Sequence, residues 1–111
     1  MSKIDKSFSG MPNQFGEKLK ALREQQNLLQ REIAPLLDMD SPLLSKIERG
    51  ERIAKRETVL KLAKILKTNE DQLLSLWLAD RLYKLAQEED VALKAIQLAE
   101  QEIRYQSRKK K

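Results

Sequence analysis

Four basic side chains crowd one short stretch of this chain. Arg49, Arg52, Lys55 and Arg56 fall within residues 49–56, against Glu51 and the adjoining Glu57. Fixed cations at that density suit a row of phosphates, which positions a protein without carrying sequence information. Just upstream, Ser41, Pro42, Ser45 and Lys46 share one face of a predicted helix by i, i+4 spacing, opposite Leu44 and Ile47. Hydroxyls and an ammonium on that face can donate and accept hydrogen bonds. Other chemistries lack their reagents. The 111 residues include no histidine and no cysteine. The commonest general base and metal ligand, the thiolate nucleophile and disulfides are therefore all missing. The carboxylates are scattered over helix surfaces, and the sequence carries no phosphate-binding glycine motif and no metal-ligand cluster. The expectation is a protein that is not an enzyme, with no catalytic residue, no metal and no cofactor.

The elements that must position these residues are helical. Charged residues make up 35% of the chain and apolar residues 41%, so a core can form. Three glycines and three prolines are too few for a turn-rich all-β sandwich. The net charge of +5 is unevenly spread: residues 1–66 hold 13 basic and 9 acidic side chains, residues 67–107 hold 5 and 8, and the last four are all basic. A basic front favours polyanions such as nucleic acid. No apolar run approaches the ~18–20 residues of a membrane span, and the N-terminus shows no apolar signal region. A cytoplasmic location without membrane contact is the expectation.

Local signals place the elements. Residues 1–12 are polar, broken by Gly10 and Pro12, and read as a flexible arm. Asn13 caps a helix over 14–26 that carries Phe15, Leu19 and Leu22 inward. A second helix is predicted over 30–37, with Ile33, Ala34 and Leu37 inward. Pro35 falls inside it, removes an N–H and crowds the carbonyl of Arg31, so that helix is kinked or shortened. Asp38 opens a tight turn. Asp40 caps a third helix over 41–49 with Pro42 in its first turn, and Gly50 ends it. A fourth helix covers 57–66 with Val59, Leu62, Ala63 and Leu66. Asn69, with Gln72 in capping-box position, starts a fifth that runs to about residue 87. A sixth, over 90–105, follows Glu88, Glu89 and Asp90.

The run Ser45-Lys46-Ile47-Glu48-Arg49-Gly50-Glu51-Arg52 carries a specific likeness. It follows Phe15-Gly16-Glu17-Lys18-Leu19-Lys20-Ala21-Leu22-Arg23 and Gln30-Arg31-Glu32-Ile33-Ala34, and the pattern ends near Leu73 and Leu74. In this order and spacing the chain resembles the Cro and phage-repressor-like helix-turn-helix proteins, the XRE family of bacterial regulators. The resemblance implies an all-α fold, a five-helix lambda-repressor-like helix-turn-helix bundle with an extra C-terminal helix. Residues 13–78 would form the DNA-binding domain, 79–106 a helical extension for dimerisation and 107–111 a basic tail. The third helix would lie in a major groove of double-stranded DNA. The resemblance assigns base reading to Ser41, Pro42, Ser45 and Lys46, with Lys46 the candidate for a guanine O6/N7 contact. Leu43, at the edge of that face, would meet a thymine methyl or pack against the second helix. Gln30 would contact a phosphate and brace the reading helix, and Arg49, Arg52, Lys55 and Arg56 would hold further phosphates. Arg23 and Glu48 match a pair that relatives bond across the first and third helices. Two departures stand out: Asp38 replaces the usual turn glycine, and Leu29 stands where relatives cap the second helix with Ser or Thr.

The last third carries surplus apolar surface. On the fifth helix Leu74, Trp77, Leu78, Leu82 and Leu85 cover more than one face, so one side is expected to need a partner. On the sixth, Ala92, Ile96, Ala99 and Ile103 follow 4-3-4 spacing, an a/d-like seam. These nine are the expected homodimer interface; the alternative is that the sixth helix folds back onto one core. The implied function is a sequence-specific transcriptional regulator, a repressor acting as a homodimer on a palindromic operator. The layout also resembles controller proteins of restriction–modification systems. The rival reading is an antitoxin whose last two helices cover a toxin.

Overall fold

Short-range signals decide where each helix stops. The computed structural model describes residues 12–109. It places α1 at Gln14–Gln25, α2 at Gln30–Ile33, a 3₁₀ turn at Ala34–Leu37, α3 at Ser41–Glu48, α4 at Arg56–Ile65, α5 at Glu70–Ala86 and α6 at Ala92–Lys109. Among the described residues every element is helical. The expected arm over 1–12 lies outside them except for Pro12, as do Lys110 and Lys111.

Four ends share one device. Asn27, Asp38, Gly50 and Lys67 adopt positive φ of 58°, 57°, 80° and 56°. Each turn lets the next N–H reach back over the helix end. Leu28 donates to the Arg23 carbonyl at 3.0 Å, Met39 to Ala34 at 3.1 Å, Glu51 to Lys46 at 2.9 Å and Thr68 to Ala63 at 2.9 Å. This Schellman arrangement satisfies carbonyls the helix would orphan. Asp38 fills the usual glycine's role because a short polar side chain tolerates this region. At the starts, Asn13 accepts from Gly16 N–H at 3.2 Å, Asp40 from Leu43 at 2.9 Å and Asn69 from Gln72 at 2.8 Å.

The second helix is shortened where Pro35 falls, as the sequence implied. It splits into four α-helical residues and a 3₁₀ turn with Pro35 near the start of that turn. Pro35 cannot donate to the Arg31 carbonyl, so the chain tightens to i, i+3 bonding. Ile33, Ala34 and Leu37 still reach the core. Leu29 has no side-chain acceptor, and its own N–H donates to Glu32 Oε1 at 2.7 Å. α6 runs to Lys109, further than expected, so the basic tail is helical through its third residue. No breaker interrupts the segment, and Arg108 and Lys109 complement the negative helix end.

Leu19, Ile33, Leu44, Val59, Leu62, Leu66 and Leu73 are fully buried where α1 to α5 meet. The start of α5 locks onto this core. Trp77 Nε1 donates to the Ala54 carbonyl at 2.8 Å. Asp80 accepts from the backbone N–H groups of Gln14 and Phe15 at 3.1 and 2.9 Å. Leu74 and Trp77, expected on the dimer face, thus pack against the chain's own core. Leu78, Leu82 and Leu85 stand exposed, the last at 80%. α6 buries no residue, so it does not fold back. The radius of gyration of 16.3 Å reflects this, against roughly 13 Å for a compact chain of this size.

Gly16 permits the closest approach in the bundle. A Cβ there would sit 2.3 Å from the Glu48 carbonyl oxygen. Gly16→Ala is therefore expected to cost about 1–3 kcal/mol through overpacking. Lys67→Gly is expected to gain about 0.5–1 kcal/mol by relieving the left-handed conformation. Urea unfolding followed by circular dichroism measures both; a neutral Gly16→Ala contradicts the tight α1–α3 contact.

Candidate nucleic-acid interface

α3 is held by a buried ion pair. Arg23 and Glu48 are 8% and 6% exposed. Arg23 Nε donates to Glu48 Oε2 at 2.7 Å and Nη2 to Oε1 at 3.0 Å, a bidentate fork. Arg23 Nη1 donates to the Leu28 carbonyl at 2.9 Å, and Gln30 Nε2 to Glu48 Oε1 at 2.9 Å. The hydrogen bonds Arg23 donates to Glu48 hold its guanidinium above its ordinary pKa against the desolvation of burial. Asn13 Nδ2 adds a bond to the Glu48 carbonyl at 2.7 Å. One residue of α3 is thereby tied to α1, to α2 and to the link between them.

With Leu44 and Ile47 turned into the core and Glu48 held beside them, the arc of α3 opposite the two apolar residues faces out. At 100° per residue Ser41, Ser45, Arg49, Pro42 and Lys46 span about 140°. Pro42, Lys46 and Arg49 are exposed, and both serines are half-buried. Leu43, at the edge of the arc, is half-buried and packs in part against the core. Arg49 belongs to the arc as much as to the loop. Its Nη1 donates to Ser45 Oγ, and Nε and Nη2 fork onto Glu51 at 2.9 and 3.1 Å. That bonding raises the pKa of Arg49 and lowers that of Glu51.

Arg52, Lys55 and Arg56 are exposed, and no carboxylate lies within ion-pair distance of them among the described residues. Lys55 occupies the N-cap position of α4, where its side chain cannot accept a hydrogen bond. The first N–H bonded within α4 is that of Val59, to the Lys55 carbonyl at 3.1 Å. The N–H groups of Arg56, Glu57 and Thr58 are left at the positive helix end, beside two cations. An anion is favoured there. A groove of about 970 Å³ runs from Gln30, Ser45, Arg49 and Arg52 towards α5. There Arg81 lies over the Trp77 ring, 4.8 Å from its centroid.

The sequence-assigned residues Ser41, Pro42, Ser45, Lys46 and Arg49 thus share one surface, with Arg52, Lys55 and Arg56 following it and Gln30 bracing it from behind. Sequence reasoning missed the Glu51 clamp, the open start of α4, the second bond of Asn13 and the role of Asp80. A cation in an N-cap position was the one readable signal, at Lys55. No helix among the described residues is long and apolar enough to cross a membrane.

A family model for the helix-turn-helix domain matches residues 14–76. The matched span opens with α1, includes α2, α3 and α4, and stops one residue before Trp77. No curated protein matches the chain.

The clamp on Arg49 has a measurable consequence. Glu51→Gln removes one negative charge and frees a guanidinium on the α3 arc. The expected outcome is tighter binding to duplex DNA and a salt slope steeper by about 0.9 for each protomer bound, one added phosphate contact apiece. Arg49 holds the Glu51 carboxyl below its ordinary range, so the clamp persists at neutral pH and is lost only as pH falls through that lowered value. Fluorescence anisotropy titrations at several salt concentrations measure the effect; an unchanged slope contradicts it.

Proposed function

The chain belongs to the helix-turn-helix domain family, and from that premise we propose that this DNA-binding protein is a sequence-specific transcriptional regulator acting as a homodimer on a palindromic operator. The observation that carries the reading is the outward arc of α3, oriented by the Arg23–Glu48–Gln30 network and flanked by Arg52, Lys55 and Arg56. A helix so held can enter a major groove while cations on either side of the loop grip the backbone. Lys46 is the candidate base reader for guanine, with Ser41, Ser45 and the edge of Pro42 beside it. Arg52, Lys55, Arg56 and the open start of α4 take phosphates, and Gln30 braces. The proposal invokes no catalytic residue, metal or cofactor.

Homodimerisation is supported by the exposed stripe of Leu78, Leu82 and Leu85 and by the bare seam of α6. One such unit reads only a few base pairs, and two joined by a twofold axis read half-sites about 34 Å apart. The short layout suits a regulator of its own small operon, a restriction–modification cluster among them. The same exposed surface would serve an antitoxin, and a toxin gene beside this one favours that reading.

Selection of bound sites from random duplex DNA tests the proposal, with palindromic sites as the expected outcome. Six to ten phosphate contacts per dimer should weaken binding roughly 10³–10⁵-fold between 50 and 200 mM salt. On the selected site Lys46→Ala is expected to cost about 1–3 kcal/mol and relax one base pair per half-site. Arg52→Ala is expected to weaken all sequences alike and flatten the salt slope. Uniform losses from both variants remove Lys46 from base reading; selection without any consensus overturns sequence specificity.

A further inference from the structure

α6 is a long helix with nothing against it. It has 18 residues and buries none. Its side-chain bonds among the described residues are local, from Arg104 to Glu100 and from Gln106 to Glu102. Most helical stability in proteins comes from packing an amphipathic face, so a stable helix here needs cover. Its apolar seam has an internal order. Ala92, Ile96, Ala99 and Ile103 alternate small and large at 4-3-4 spacing, and Gln106 continues the register. Its two ends differ in charge. Glu88, Glu89 and Asp90 precede it, and Arg108 and Lys109 close it, all exposed.

We propose that α6 pairs with α6 of a second copy in the antiparallel direction, about a twofold axis between residues 97 and 98. This rests on the homodimer reading above and fixes its geometry. In that arrangement each layer sets a small residue against a large one. Ala92 meets Ile103 of the second copy, and Ile96 meets Ala99. Every layer then holds the same volume, as uniform packing requires. Parallel pairing in register sets Ala99 on Ala99 and Ile103 on Ile103, so small layers that leave a gap alternate with large ones.

Charge selects the same direction. Antiparallel pairing brings the acidic approach to α6, Glu88 to Asp90, towards the basic end of the second copy's α6 at Arg108 and Lys109, and it does so twice. Parallel pairing sets acid against acid and base against base, which is unfavourable. The pattern is complementary to its own reverse, both in size and in sign. A twofold contact with an identical chain demands that property, and a contact with a foreign partner does not.

Cysteine cross-linking tests the direction, because the chain has no cysteine of its own. Ala92→Cys and Ile103→Cys chains, one lengthened by a short tag, are mixed at micromolar concentration and oxidised gently. Neither substitution touches the α1–α5 core. The expected product is the mixed disulfide of the two variants, in excess over either self-linked species. Self-linked chains in excess indicate parallel pairing and overturn the proposal. Absence of any disulfide overturns it as well. Sedimentation of the unaltered chain separates that failure from failure of the homodimer reading: a dimer places the contact elsewhere, and a monomer removes both. As a second measurement, Glu88→Lys and Lys109→Glu are each expected to weaken dimerisation several-fold and, combined in one chain, to restore it. Additive losses overturn the pairing.

Discussion

A buried carboxylate organises this bundle. Glu48 sits in α3 among apolar neighbours, where an unpaired charge would be costly. It is accommodated because Arg23 meets it with two parallel hydrogen bonds and Gln30 supplies a third. Arg23 in turn satisfies the Leu28 carbonyl in the link between α1 and α2. A buried pair of this kind is a modest source of net stability. What it does here is fix rotation. α3 cannot turn about its axis without pulling Glu48 off the fork, and the outward arc that includes Ser45 and Lys46 is set by that one inward residue. Gly16 completes the constraint. Its missing Cβ lets the Glu48 carbonyl come against α1, where Asn13 binds it.

Much of the fold was legible because its punctuation is local. Asn13, Asp40 and Asn69 accept from N–H groups three residues on, and Gly50 terminates α3; such signals lie inside a window of five residues. Pro35 announced a break, but not its form. The 3₁₀ turn keeps Leu37 buried, and only the surrounding core decides that outcome. Contacts across long stretches of chain left no such trace. Asp80 reads as one acidic residue among the leucines of α5, yet it takes two N–H groups at the start of α1. Leu74 and Trp77 were read as surplus apolar surface. A periodic pattern tells which residues share a face, not which neighbour that face meets. Once the indole reaches the Ala54 carbonyl, the inward side of α5 is settled.

The candidate interface was legible by residue type and less so by pairing. Counting charges puts four cations after α3. Geometry divides them: Arg49 is engaged by Ser45 and Glu51, while Arg52, Lys55 and Arg56 remain open. Glu51 looks like a mere reduction of net charge in the sequence, yet it sits two residues from Arg49, where the turn at Gly50 folds it back to form a fork. The turn geometry creates that contact, and no periodicity encodes it. Leu43 shows the opposite case. Its spacing puts it at the margin of the outer arc, and only the structure shows that part of it packs against the core.

These ties make α5 more than a cover for the core. Its middle is bonded to the loop after α3 through Trp77 and to the start of α1 through Asp80, so its exposed half keeps a fixed relation to the outward arc of α3. The link to α6, residues 87–91, contains neither glycine nor proline. Its N–H groups keep turning back, Glu89 to the Ala86 carbonyl at 3.0 Å and Ala92 to that of Glu89 at 3.2 Å. A short, hydrogen-bonded link of this kind carries the direction of α5 into α6 instead of freeing it. In the proposed homodimer, an antiparallel α6 pair joined to such links would set the distance and angle between two copies of α3. Half-site spacing in that proposal depends on residues that never touch a base: the three hydrogen bonds that fasten α5 through Trp77 and Asp80, and the five residues that aim α6.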